Sequence, residues 1–190
     1  MANWCDTSIA FYSRDRQLLT DFHDDIVTVT AKDNWLGNML KYYGFDPENY
    51  SCRSHIYYIS NVSLDADDVW YFILDQEDAW SPHTDPWDDI VSIANGDIDF
   101  VYKSEEPGQD IFVNSDIEGW YFKERYVIDA SLLDTEDKIY TQTESETISL
   151  CRYILKDRSI NSISQARAIA SKLITQEKGE WFRIDEFEEV

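Results

Sequence analysis

Apolar positions keep changing period along this chain, and each change of period marks an element. Trp4 to Tyr12 carries Ile9, Phe11 and Tyr12 among small polar residues, a β-like composition that predicts an opening strand. From Asp15 onward, Leu18, Leu19, Phe22, Ile26 and Val27 recur at steps of three and four, which predicts an amphipathic helix. Leu36, Met39, Leu40 and Tyr43 share a face in a second helix over Trp35 to Tyr43, with Gly44 as its left-handed stop. His55 to Ser60 and Val69 to Leu74 are β-branched and aromatic runs, expected to be neighbouring strands joined by the acidic connection Asn61 to Asp68. After Ser81-Pro82 and Asp85-Pro86, the residues Trp87, Ile90, Val91 and Ile93 predict a short helix ending before Gly96. Strand character returns at Ile98 to Tyr102 and, after a turn at Pro107-Gly108, at Trp120 to Ile128.

Beyond Tyr140 the spacing becomes helical. Ile148, Cys151, Ile154 and Leu155 form one stripe, and Ile163, Ala166, Ile169, Ala170, Leu173 and Ile174 another. Ser145-Glu146 and Ser162 or Ser164 are the expected caps of these two helices, Lys178-Gly179 the expected end of the second, and Trp181 to Ile184 a last strand. The alternation of types predicts an α+β fold. The expected division is an α+β domain over 1–142 and a helical C-terminal extension over 143–190, packed on the same core and ending in a short strand.

Charge sharpens this picture. From His55 to Tyr102 no lysine or arginine occurs, while eleven aspartates and glutamates do. The whole chain of 190 residues carries 38 acidic and 16 basic residues, a formal net charge of -22. Such a field repels nucleic acid and anionic membrane at long range and leaves a basic partner as the expected one. Residues 143–178 hold six basic and four acidic residues, so the negative excess falls mainly before them. With 43% hydrophobic and 15% aromatic residues, the chain has a core to fill and is expected to fold. Cys5, Cys52 and Cys151 are too widely spaced for a disulfide framework or a CxxC metal site, which points to a reducing cytosol. No window approaches 18 apolar residues, and the expected location is cytoplasmic.

Three segments carry a resemblance. Asn3-Trp4-Cys5, Glu77-Asp78-Ala79-Trp80-Ser81-Pro82 and Ser104-Glu105-Glu106-Pro107-Gly108, in this order and spacing, resemble the YubB-like proteins of phages, plasmids and integrated elements over about residues 1 to 128. The resemblance implies a ferredoxin-like fold, an antiparallel sheet with helices on one face, and a mobile-element context. It carries no catalytic residues. Read physically, Trp80 before Ser81-Pro82 is expected to anchor a helix entrance beneath the sheet, and Pro107-Gly108 to form a tight turn.

Catalytic chemistry is not legible. His83, followed by Asp85, Asp88 and Asp89, is the best ligand candidate, but no second histidine or cysteine completes a zinc set and no segment reproduces a calcium loop. There is no G-x-S-x-G and no phosphate loop, so no enzyme activity, metal or cofactor is expected. The function expected is that of an acidic interaction protein, a nucleic-acid mimic that binds and inhibits a basic host protein such as a defence nuclease. Its expected contact residues are Asp65, Asp67, Asp68, Asp85, Asp88, Asp89, Asp97, Asp99, Glu105 and Glu106. The alternative is a structural or assembly module, self-association into a homodimer included, in which Trp120, Tyr121 and Trp181 or the C-terminal helices make the contacts and acidity only solubilises.

Overall fold

The computed structural model describes residues 3–50, 52–94, 96–131, 138–173 and 181–190. The chain is α+β and divides into two compact units, residues 1–115 and 116–190. The boundary expected at 142/143 thus falls inside the second unit, because the strand Tyr126–Ala130 pairs both with Ile139–Thr141 before that boundary and with Phe182–Glu186 after it.

The first unit is built on β1 (Trp4–Ser13), β2 (Ser54–Ile59), β3 (Ser63–Leu64), β4 (Trp70–Ala79), β5 (Asp99–Glu106) and β6 (Ile111–Asn114). Their order across the sheet is β6-β5-β1-β4-β2, with β3 paired to β4 and the described neighbours antiparallel. β1 is the central strand. Ten of its residues pair with β4, from Trp4↔Ala79 to Ser13↔Trp70, and seven with β5, from Asp6↔Glu105 to Tyr12↔Asp99. Since successive side chains alternate between faces, this register sorts every residue of the three strands. Cys5, Thr7, Ile9 and Phe11 lie on one face with Phe72, Leu74, Gln76 and Asp78, whereas Trp4, Asp6, Ser8 and Ala10 lie on the other with Ile73, Asp75, Glu77 and Ala79.

Helices cover the first of these faces. α1 (Arg16–Thr30) starts where the Asp15 carboxylate accepts the N–H groups of Gln17 and Leu18, and it buries Leu19, Phe22 and Ile26; Val27, expected in the stripe, is exposed. α2 (Leu36–Tyr42) buries Leu36, Met39 and Leu40 and ends at Gly44, whose φ of 86° suits glycine. α3 (Asp85–Ser92) buries Trp87 and Ile90. These side chains join Ile9, Phe11, Ile56, Phe72 and Leu74 in one core, in which the Phe11 ring meets Phe22, Phe72 and Trp87 at centroid distances of 5.0 to 5.3 Å. The tryptophan beneath the sheet is Trp87, with no exposed surface, and not Trp80, which is 47% exposed. Trp80 instead turns the chain at a φ of 79°, an uncommon conformation for a bulky residue.

The second unit has its own core. β7 (Tyr126–Ala130) pairs with β8 (Ile139–Thr141) on one side and β9 (Phe182–Glu186) on the other. Ile128 and Ile184 from this sheet pack with Cys151 and Leu155 of α4 (Glu144–Ile154) and Ala166 and Ala170 of α5 (Ile163–Leu173). Helical spacing therefore located both helices. The cap of α4 is Thr143, in a reciprocal box with Glu146, and Ser162 accepts the Gln165 N–H at the start of α5. The proposed end of α5 at Lys178-Gly179 lies outside the described residues. Trp120 to Phe122 are not strand, for a local reason. The buried Asp116 carboxylate accepts the N–H groups of Trp120, Tyr121 and Phe122 at 3.1, 2.6 and 2.8 Å, and Arg125 donates to the carbonyls of Asp116, Ile117, Phe122 and Glu124. A backbone satisfied this way does not need a ladder.

Candidate functional site: two faces of one sheet end

The three motif segments, residues 3–5, 77–82 and 104–108, meet at one end of the first sheet. β1 begins there, between the ends of β4 and β5: Cys5 pairs with Asp78, and Asp6 with both Glu77 and Glu105. The Trp80 N–H donates to the Asn3 carbonyl at 2.9 Å, and a Cβ at Gly108 would come within 3.0 Å of the Glu106 carboxylate and 3.2 Å of the Asn3 amide. Alternation then divides the motif residues between two environments.

On the covered face lies a buried polar network centred on Asp78, which has no exposed surface. Its carboxylate accepts the Thr7 hydroxyl at 2.7 Å, the Gln76 amide at 2.8 and 3.1 Å and the His83 backbone N–H at 3.2 Å. Ser104 donates to Thr7 at 2.9 Å, and the Trp87 indole N–H donates to the Gln76 carbonyl oxygen at 2.9 Å. The His83 ring bonds Ser54 through Nδ1 at 2.9 Å, with Asp78 at 3.9 Å from the same nitrogen. Serine, histidine and aspartate are thus close together, but not as a relay. A triad engages the serine and the carboxylate through opposite ring nitrogens, and here Ser54 is fully buried and shares Nδ1 with Asp78. Nearby, burial and then the Asp78 charge push the Cys5 thiol up to about 12, so it stays protonated and unreactive at neutral pH.

On the open face the same strands set carboxylates side by side. Across β5, β1, β4 and β2 one row reads Glu105, Asp6, Glu77, His55, and the next reads Lys103, Ser8, Asp75, Tyr58. Directly opposed side chains in antiparallel strands have Cβ atoms about 5 Å apart, and like charges so placed are destabilising. The Ser8 hydroxyl donates to Asp75 at 2.7 Å, while the bases bordering the rows are Lys103 and the exposed Arg53, whose carbonyl accepts the Ala79 N–H. The register of β2 on β4 shifts between Ile56 and Tyr58, and this irregularity breaks alternation so that Tyr57 and Tyr58 are both about half-exposed, at 55% and 51%. Tyr57 reports the local field. Its hydroxyl is pushed up to about 12, first by partial burial and then by Asp75, Asp6, Glu77 and Glu105. Trp4, 46% exposed, meets the His55 ring edge-on at 6.4 Å.

The ten contact residues expected from sequence do not form one surface patch. Asp65, Asp67 and Asp68 occupy the turn before β4, where Asp65 accepts the N–H groups of Asp67 and Val69. Asp85, Asp88 and Asp89 sit on the first turns of α3, with Asp89 accepting the Tyr50 hydroxyl at 2.6 Å and the Asp88 carboxyl raised by burial, then by Asp85 and Asp89. Asp97 precedes β5 and gives its carbonyl to the Ser13 hydroxyl. Asp99 and Glu105 both face the open side, but six residues apart on β5, about 20 Å. Glu106 is withdrawn from the surface: it is buried and accepts the Gln109 N–H at 2.6 Å, holding the Pro107–Gln109 turn. Asp6, Asp75 and Glu77, which complete the open-face cluster, were not singled out, since only the pairing of distant strands unites them. His83 is committed to Ser54 and Asp78, and among the described residues no group of three His, Cys, Asp or Glu is placed to hold a metal ion.

In the second unit, an open cleft of about 710 Å³ is lined by Arg125, Tyr126, Gln142, Thr143, Glu144, Phe187 and the carboxylates Glu186, Glu188 and Glu189. Among the described residues no helix is long and apolar enough to cross a membrane. No protein-family model and no curated protein matches this chain. A crystal structure of an unknown protein from Galdieria sulphuraria aligns with 97% of this chain and 99% of its own at 8% identity, with a TM-score of 0.30, too low to bear on fold or function.

Two outcomes follow from this geometry. Replacing Asp78 by alanine leaves Thr7, Gln76 and the His83 N–H without their buried acceptor, and a loss of about 3 kcal/mol or more is expected in urea unfolding curves. The Tyr57 phenol, held above its ordinary value of 10.0, favours folding fully below pH 10 and loses that contribution as pH rises toward about 12. Spectrophotometric titration of Asp75→Asn is expected to move the Tyr57 transition to lower pH.

Proposed function

We propose that this protein is a non-enzymatic acidic interaction protein whose first unit docks a basic protein surface on the open face of its sheet. One observation carries the reading: Glu105, Asp6 and Glu77 stand directly opposite one another on three adjacent strands, which concentrates negative charge that a cationic partner would complement. The field they set up is felt at Tyr57. A nucleic-acid-binding groove of a host protein fits this chemistry, since it offers closely spaced cations to any regular array of anions. The docking residues are Asp6, Asp75, Glu77 and Glu105, of which only Glu105 belongs to the set read from sequence.

Two finer readings accompany it. The order β5-β1-β4-β2, with helical connections from β1 to β2 and from β4 to β5, supports a ferredoxin-like class for the first unit. The resemblance of the three motif segments to YubB-like proteins supports a mobile-element setting, in which neutralising a host nuclease is a coherent role. An assembly module is the second reading, favoured by exposed aromatic residues of the second unit, Trp120 at 62%, Trp181 at 53% and Tyr153 at 81%.

Chromatography of host lysate on the immobilised full chain separates them. A basic nucleic-acid-binding protein is expected to be retained at low salt, released along a salt gradient, displaced by duplex DNA, and not retained by Asp6→Lys/Glu77→Lys. Retention that survives both high salt and the charge reversal contradicts the acidic-face reading.

A further inference from the structure

We propose, resting on the acidic-face reading, that the partner segment docking on this face is an extended, arginine-rich one, and that the site discriminates arginine from lysine. Carboxylates alone do not choose between the two cations. The open face adds rings. Trp4, His55, Tyr57 and Tyr58 are exposed beside Asp6, Asp75 and Glu77, so a cation drawn to the carboxylates meets aromatic surface at the same place. A guanidinium is planar, weakly hydrated and able to stack on a ring while its fork of N–H groups reaches carboxylates; an ammonium is a compact, strongly hydrated charge that gains less from a ring.

The β2 irregularity strengthens this reading. In a regular strand, alternation from the open-face His55 and the buried Ile56 would display Tyr57 and turn Tyr58 to the covered face. The register shift between Ile56 and Tyr58 brings Tyr58 opposite Asp75 on the open face as well, 51% exposed beside Tyr57, which is 55% exposed and within the field of Asp75, Asp6, Glu77 and Glu105. Two adjacent rings at the margin of a carboxylate row form a surface for flat cations.

Spacing sets the form of the segment. The row from Glu105 through Asp6 to Glu77 crosses three strands and spans about 9.6 Å at the usual strand separation. In an extended chain, side chains at alternate positions share a side and lie about 6.6 Å apart, so two arginines separated by one residue both fall within the row. A helical segment places same-face residues three or four apart and matches the row less well.

Calorimetric titration of the full-length protein with two peptides of equal length, one alternating arginine with glycine and the other lysine with glycine, tests this. The arginine peptide is expected to bind about tenfold more tightly. In Trp4→Leu/Tyr57→Leu that preference is expected to fall toward unity while the lysine peptide keeps its affinity, with thermal melts confirming that the variant folds. Equal affinity of both peptides for the native protein, with steep salt dependence, overturns arginine selectivity and leaves the acidic face standing. Binding of neither peptide at low salt overturns both.

Discussion

A carboxylate without exposed surface must find its hydrogen bonds inside the protein, and Asp78 finds them on three structural elements. Thr7 comes from the central strand, Gln76 from β4, two residues before Asp78 itself, and the His83 N–H from the segment leading into α3. Ser104 extends the network to β5 through Thr7. These bonds pin the strand register at this end of the sheet. A slip of one residue would turn Asp78 outward, away from these donors, and Glu77 into the core. The buried network and the open carboxylate row are therefore two consequences of one register.

That coupling explains how the sheet holds side chains that repel one another. Asp6 faces Glu77 on one side and Glu105 on the other, and no local preference would choose such neighbours. The apolar core around Phe11, Phe72 and Trp87 and the Asp78 network fix the strands, and the carboxylate row is carried on their open face.

Much of the local structure was legible in sequence, because period and capping are local signals. The Leu19–Phe22–Ile26 stripe and the Gly44 stop appear where their spacing places them. β6 and β8, four and three residues long, are too short to give a periodic signal. Trp120 to Phe122 have strand composition, but Asp116 satisfies their backbone locally. The site was less legible for a different reason. Which of two adjacent acids faces solvent depends on parity within a paired strand, so Glu105 and Glu106 look alike in sequence while one is displayed and the other is buried. The nearest signal was the alternation inside the motif segments themselves, in Glu77-Asp78 and Ser104-Glu105, once those segments are read as strand.

The central claim is that Asp6, Glu77 and Glu105 act on one another as one charged row. Urea unfolding of Asp6→Asn measures this directly, since the substitution keeps shape and removes the middle charge. The account predicts a gain in stability of roughly 0.5 kcal/mol, larger at low ionic strength and shrinking with added salt. A loss of stability, or a gain indifferent to salt, would mean that Asp6 supports the fold and that the three acids do not act as one charged row.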